Sequence, residues 1–228
     1  ELNLKEGKTI VLVSHDLNDH GIRLAINYKQ YALEILTDDE LLDAISLTGE
    51  SHDFLCSWIN EGLKRYGVKG DFKFESHYIL PYKNGLNKDY QFPAPNADKL
   101  QDLIDQRNVC DAALRSVLSD RKDASKIRIW PHHFDTGAII EVDEDNDGLI
   151  KTIGLGLSIM INGFYFYASP WSKGINLDLS KMDEDALSSG EWHSGEWKGA
   201  TLRSESVSVE EATKFFEEAI QELLLVLR

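Results

Sequence analysis

The sequence predicts an α+β fold in which an antiparallel β-meander, over about residues 127–207, packs with helices on at least one face. Two turn signals, Asp147-Gly148 and Asn162-Gly163, each separate segments in which apolar and polar side chains alternate, as they do in half-buried strands. Capped helical patterns precede and follow these segments. Since a chain of 228 residues can bury a substantial core, we predict a single domain over residues 1–228.

The part of the chain before the sheet, residues 1–120, is predicted to be rich in helix. Thr37 can cap a helix that ends at Gly49, because Glu40 follows it at the spacing of a capping box. Two further helices are expected, one from about Ser51 with Gly67 at its C-terminal end and one from Ala97 to about Leu118.

Other segments complete the expected set of elements. Residues 22–36 fit both a helical and an alternating pattern, so the structure of residues 1–36 is left open. Residues 71–80 alternate and predict a half-buried strand. A final helix over residues 208–228 is predicted from the capping box that Ser208 forms with Glu211.

The two turns also predict the register of the sheet. A turn at Asn162-Gly163 pairs Leu157 with Ala168, and a turn at Asp147-Gly148 pairs Ala138 with Leu157. Both registers send the apolar side chains to one face, and this agreement supports them because a slip of one residue would reverse every side chain. The opposite face then carries Ser158, Tyr165 and Tyr167, with His133 and Asp135 beside them if the strand continues regularly.

Composition argues against several classes of partner. The formal net charge of −15 repels a phosphate backbone, so we expect no nucleic-acid partner. No membrane partner is expected either, because the uncharged stretch from Thr152 to Ser172 is interrupted by Gly154, Gly156 and Pro170 and predicts two strands. Two cysteines are too few for a disulfide framework, which indicates a cytoplasmic protein.

The segment from Trp130 to Asp135 contains the first candidate site. His133 and Asp135, two residues apart on a strand, would point to the same face, where they could share a metal ion or act as an imidazole base oriented by a carboxylate. This pattern favours a metal-assisted hydrolase or lyase as an alternative function. The structural interpretation is that His132 or His133 donates to a backbone carbonyl at the strand entry and that Asp135 accepts from neighbouring donors, since a metal site needs more ligands than these two.

Aromatic and polar side chains on the second face form the other candidate site. Such residues can line a pocket for a small ligand, although a helix packed over the same face would explain them equally well. The leading hypothesis is therefore a small-ligand-binding domain, and a third is an acidic module that binds basic proteins. No cofactor is indicated. The predicted ligand-binding residues are Ser158, Tyr165, Tyr167, Trp171 and His193.

Three segments resemble a group of bacterial proteins that form a domain of unknown function. They are Ile127-Arg128-Ile129-Trp130-Pro131-His132-His133-Phe134-Asp135, Gly154-Leu155-Gly156-Leu157-Ser158 and Phe164-Tyr165-Phe166-Tyr167-Ala168-Ser169-Pro170-Trp171. Members of that group carry a similar Trp-Pro-x-His-Phe-Asp strand and a Pro-Tyr-x-Tyr-x-x-Pro-Trp strand, although this chain has Gly163-Phe164 where they have Pro-Tyr. The resemblance covers about 45 residues and implies a bacterial cytosolic α+β domain, without an activity.

Overall fold

Antiparallel strands and helices make up the chain, which confirms the predicted α+β class. The chain divides into two compact units, residues 1–104 with 131–133 and residues 105–130 with 134–228. The single-domain hypothesis stays a prediction, because compact units are defined by contacts and domains by independent folding. The computed structural model describes residues 2–4, 11–73, 89–130, 133–144, 150–159, 163–172, 179, 182 and 186–227.

The first unit contains a five-stranded antiparallel sheet and helix α1 (His52–Arg65). Leu33 and Ile35 from the sheet pack against Leu55, Ile59 and Leu63 of the helix. The strands, which follow chain order in the sheet, are β1 (Leu2–Leu4), β2 (Val11–Ser14), β3 (Arg23–Asn27), β4 (Ala32–Leu36) and β5 (Leu41–Ser46).

The ends of α1 are those predicted from the sequence. The Ser51 side chain accepts a hydrogen bond from the backbone N–H of Phe54, and Gly67 follows the helix with a φ of +81°. These are the N-cap bond and the left-handed C-terminal glycine that stop fraying at each end.

The helix predicted from Thr37 is wrong. The Thr37 hydroxyl does accept a hydrogen bond from the N–H of Glu40 at 3.2 Å, but this bond closes the turn between β4 and β5. A threonine side chain bonds an amide three residues later in both settings, so the capping signal did not distinguish them. Residues 1–46 consequently contain strands and are not the helix-rich segment expected for residues 1–120.

The second unit contains a six-stranded antiparallel sheet in the order β10-β11-β9-β8-β7-β6. Helix α3 (Val209–Leu227) packs on one face, where Phe215 and Phe216 meet Phe166 and Leu155, and the C-terminal half of α2 (Ala97–Leu118) joins the same core through Cys110. The strands are β6 (Arg128–Trp130), β7 (Asp135–Glu144), β8 (Ile150–Ser158), β9 (Tyr165–Ser172), β10 (Glu191–Ser194) and β11 (Lys198–Arg203).

Both predicted registers in this sheet are wrong by two residues. Leu157 pairs with Phe166 where Ala168 was expected, and Ala138 pairs with Leu155 where Leu157 was expected. Because side chains alternate with a period of two, an even shift leaves the residues of these pairs on their predicted faces. Beyond the irregularity in β7 the shift is one residue, since Glu144 pairs with Ile150. Both turn signals lie wholly or partly outside the described residues, and β7 contains an irregularity between Glu141 and Asp143.

Two remaining expectations concern single segments. Of the strand predicted over residues 71–80, residues 71–73 form no strand and the others lie outside the described residues. The uncharged stretch from Thr152 to Ser172 contributes to strands β8 and β9, as expected. Among the described residues, no helix is long and apolar enough to cross a membrane.

Candidate functional site

The face of the second sheet opposite α3 carries polar and aromatic side chains, and we call it the polar face. It follows from alternation: Phe166 and Ala168 of β9 enter the core, so Tyr165, Tyr167 and Trp171 point the other way. Thr201, on β11, lies directly opposite Tyr167 of β9 on one side and directly opposite Glu191 of β10 on the other. The same register therefore places side chains from three neighbouring strands on this face.

A cavity of about 340 Å³ lies on the polar face where β9, β10 and β11 meet. Arg203 and Tyr165 are direct cross-strand partners, as are Thr201 and Glu191, so both pairs face the same space. Of the predicted ligand-binding residues, Tyr165 and His193 line this cavity. The side chains that contribute most of its chemistry are Tyr165, Glu191, His193, Trp197, Thr201 and Arg203.

The imidazole of His193 is held in place by its neighbours. Its Nε2 shares a hydrogen bond of 2.7 Å with Thr201 Oγ1 and lies 3.7 Å from a carboxylate oxygen of Glu191. The ring also makes an edge contact with Trp197, with 5.5 Å between ring centroids. A side chain fixed on three sides presents a pre-organised wall to a ligand.

Trp197 is positioned by a glycine. Gly199 has a φ of +148°, and a Cβ there would lie 2.8 Å from Cη2 of Trp197 and 2.4 Å from the carbonyl oxygen of Ala168. The indole thus occupies space that a side chain at this position would fill. It nevertheless remains 42 % exposed, so part of its apolar surface is available to a ligand.

Charged groups of both signs line the same cavity. Arg203 is exposed and forms no ion pair with any residue that the structure describes, while Glu191 and Glu205 are exposed carboxylates. A guanidinium only donates hydrogen bonds and a carboxylate only accepts them. The site can therefore satisfy both donors and acceptors of a ligand while its indole contacts an apolar surface.

Tyr167 lies on the polar face but fills its own niche there. It is the cross-strand partner of Gly156, and a Cβ at Gly156 would lie 2.9 Å from its hydroxyl. Gly137 lies on β7, directly opposite Gly156, and a Cβ added at Gly137 would lie 3.2 Å from the same oxygen. The two glycines accommodate the tyrosine itself, so this patch of small residues is occupied by the protein.

The remaining predicted residues lie apart from the cavity lining. Ser158 is buried beside Tyr165, as its cross-strand partner, and Trp171 is 56 % exposed at the far end of β9. Neither residue is among those that line the cavity.

The first candidate site does not have the backbone that the sequence predicted. β7 begins only at Asp135, and Phe134 adopts a φ of +64° in a turn where its N–H bonds the carbonyl of Trp130 at 2.7 Å. The prediction of a regular strand that aligns His133 with Asp135 is therefore wrong. His133 is exposed in the turn, and Asp135 is buried at 8 % exposure. The described residues contain no group of three or more potential metal ligands.

Buried Arg107 is a residue that the sequence interpretation missed. It is completely buried on α2, where one guanidinium nitrogen donates to Thr136 Oγ1 and the other donates to the carbonyl of Phe134 at 2.7 Å. Its position between Ile104 and Cys110, on the apolar stripe of α2, was the available signal. Arg107 therefore bonds both the turn at Phe134 and strand β7, so its role is positional.

A cysteine and a histidine on α1 also come together. The sulfur of Cys56 lies 3.9 Å from the ring nitrogens of His52, one helical turn earlier. Burial and then the charge of Asp53 raise the pKa of this thiol. Because the thiolate is the reactive form, a raised pKa argues against a nucleophilic role.

A second cavity, of about 390 Å³, lies in the first unit. Its lining is largely apolar and includes Leu24, Leu63 and Phe72, together with His15 and Lys69. The cavity on the polar face is the better candidate, since its charged and hydrogen-bonding groups converge.

Comparison with protein-family models, with curated proteins and with solved structures finds no match to this chain. The resemblance to the bacterial proteins with a Trp-Pro-x-His-Phe-Asp strand therefore stays a prediction. A function can therefore be inferred only from the side chains that line the cavity.

The environment of Tyr167 leads to a prediction about alkaline stability. Burial and then the negative charge of Asp135 raise the pKa of its hydroxyl. An unfolded tyrosine ionises near pH 10. Above that pH the unfolded chain releases a proton that the folded chain keeps, so the free energy of unfolding falls as pH rises.

We expect Tyr167→Phe to lose less stability than the wild type between about pH 9.5 and 11, because the variant lacks this ionisation in the unfolded state. Urea denaturation at several pH values in that range measures the two slopes. Parallel slopes would show that Tyr167 ionises as readily in the folded chain as in the unfolded one, against the expectation.

Proposed function

We propose that the chain is a small-molecule-binding protein whose ligand occupies the cavity formed by β9, β10 and β11. The observation that carries this proposal is the convergence of an exposed indole, a guanidinium, carboxylates and a hydrogen-bonded imidazole in one cavity of about 340 Å³. Ligand sites typically have volumes of about 300–1,000 Å³ and combine apolar surface with a few placed polar groups.

The rigidity of the lining supports the proposal. Tyr165, Thr201 and Arg203 are held on paired strands, and the hydrogen bond between His193 and Thr201 links β10 to β11 through their side chains. Residues fixed before binding lose little conformational entropy when a ligand arrives. A site of this kind binds without a folding step.

A cytoplasmic location belongs to the same proposal. Cys56 and Cys110 are both free thiols. Reduced cysteines are typical of cytosolic proteins, whereas disulfides accumulate in oxidising compartments. A bacterial source is proposed from the resemblance alone.

A fragment-binding experiment tests the proposal. We expect several members of a library of small polar and aromatic compounds to shift the backbone NMR signals of His193, Thr201 and Arg203, because these residues line the cavity. Thr201→Phe should abolish the shifts by filling the cavity with an aromatic ring.

Thr152→Phe is the matched control, since Thr152 lies on the polar face opposite Trp171 and does not line the cavity. Aromatic residues are tolerated on half-exposed strands, so both variants should fold. Retention of binding in Thr152→Phe together with its loss in Thr201→Phe supports the site. Binding that survives in Thr201→Phe, or shifts confined to other parts of the chain, would overturn it.

A further inference from the structure

We propose that the ligand of this cavity is a neutral, polyhydroxylated compound of the sugar class. The inference rests on the proposed function, because it specifies what the same cavity binds. It is carried by three properties of the lining: its mixed charge, its hydrogen-bonding capacity and its exposed indole.

The charge of the lining argues against ligands with a single strong charge. Glu191 and Glu205 contribute two negative charges, Arg203 contributes one positive charge, and the whole chain carries −15. An anion would be repelled by the carboxylates and by the surrounding field. A cation would be attracted by them, but an ammonium group only donates hydrogen bonds and cannot satisfy the donors of Arg203. A neutral ligand with hydroxyl groups avoids the repulsion and can accept those hydrogen bonds.

The hydrogen-bonding capacity selects among neutral ligands. Arg203 offers only donors, Glu191 and Glu205 offer only acceptors, and the Thr201 hydroxyl offers both. A ligand hydroxyl both donates and accepts, so a compound with several hydroxyl groups can satisfy every side of this cavity. Hydrogen bonds to charged side chains are also stronger than those between neutral groups.

The exposed indole matches the remaining surface of a sugar. A pyranose ring has hydroxyl groups around its edge and C–H groups on its faces, and those faces pack against aromatic rings. Trp197 is held by His193 and by the space above Gly199, yet keeps 42 % of its surface exposed beside the polar groups. Apolar contact and hydrogen bonds are therefore offered side by side.

A direct comparison of probes tests the class of ligand. Glucose, galactose, mannose and N-acetylglucosamine are titrated one at a time against the protein, with benzoate and tyramine as the anionic and cationic comparators. Backbone NMR shifts of Thr201 and Arg203 report binding in the cavity. We expect at least one sugar to bind at least about tenfold more tightly than either comparator, a difference of about 1.4 kcal/mol.

Two tryptophan variants provide the structural test. Trp197→Ala should weaken sugar binding by about tenfold, because it removes the indole from the cavity. Trp171→Ala should leave binding unchanged, since Trp171 is exposed on the same face but outside the cavity. Equal effects of the two substitutions would contradict an indole contact with the ligand.

The outcomes separate this inference from the proposed function. Sugar binding that depends on Trp197 supports both. If benzoate, tyramine or other library fragments bind in the cavity and no sugar does, the small-molecule site stands and the sugar class is wrong. If no compound shifts the signals of Thr201 and Arg203, the proposed function itself fails.

Discussion

Gly156→Ala is expected to destabilise the protein by about 3 kcal/mol, which is at the upper end of the usual cost of overpacking. The new methyl carbon would lie 2.2 Å from the carbonyl oxygen of Thr136 and 2.9 Å from the hydroxyl of Tyr167. Tyr167 can move its ring, but the carbonyl belongs to the neighbouring strand β7. The two strands would have to separate, and the pairing of Gly156 with Gly137 would be lost.

Gly154→Ala is the matched control for this substitution. Gly154 lies two residues earlier on the same strand and face, and its nearest neighbour to a new Cβ is the Ser169 oxygen at 3.8 Å, an ordinary contact. We expect the free energy of unfolding to change by at most about 1 kcal/mol, because alanine fits at this position and also restricts the unfolded chain. Urea denaturation compares the two variants. Equal free energies of unfolding would contradict the close approach between Gly156 and the Thr136 carbonyl.

Arg107→Met is expected to lower the free energy of unfolding by about 2–4 kcal/mol. Methionine preserves much of the apolar stem, but the Thr136 hydroxyl and the Phe134 carbonyl lose the donors that Arg107 supplies. Each buried polar group left without a partner costs about 1–3 kcal/mol. The turn at Phe134, with its φ of +64°, also loses one of the contacts that hold it.

Two further variants sharpen this prediction. Arg107→Lys should not restore stability, because a single ammonium cannot reproduce the two-nitrogen geometry of the guanidinium. Arg115→Met, on the same helix, removes an exposed arginine that pairs with Asp111 and should cost at most about 1 kcal/mol. Chemical denaturation that finds Arg107→Met no less stable than Arg115→Met would refute the positional role.

For the second sheet, the sequence predicted which face each side chain lies on better than it predicted the cross-strand partners. Turn signals and alternation assigned Phe166 to the core and Tyr167 to the polar face, and this survived because the register error was an even number of residues. The same error hid the contact between Tyr167 and Gly156, since Ser158 was expected to be the partner of Tyr167. Turn residues constrain a register only approximately when the connection is not a two-residue hairpin.

The errors near the beginning of the chain have a different cause. The Thr37–Glu40 pattern describes one local hydrogen bond, and that bond occurs. Whether it begins a helix or closes a hairpin depends on the pairing of Leu41–Ser46 with β4, which is a tertiary contact. Local propensity could not decide between these outcomes.

The candidate site was found in part. Tyr165 and His193 were predicted, whereas Thr201 and Arg203 were missed. Glu191 lies on β10, which pairs with β11. Without that pairing the residues opposite Glu191 could not be named. The cavity therefore depends on long-range strand pairing that composition alone does not reveal.

The small-molecule site is tested most directly by a crystal structure of the protein soaked with the tightest-binding compound of the fragment library. We predict that the compound occupies the cavity on the polar face, in contact with Tyr165, Trp197 and Arg203. A compound bound only in the first-unit cavity beside Leu24 and Leu63, or only elsewhere on the surface, would contradict this account.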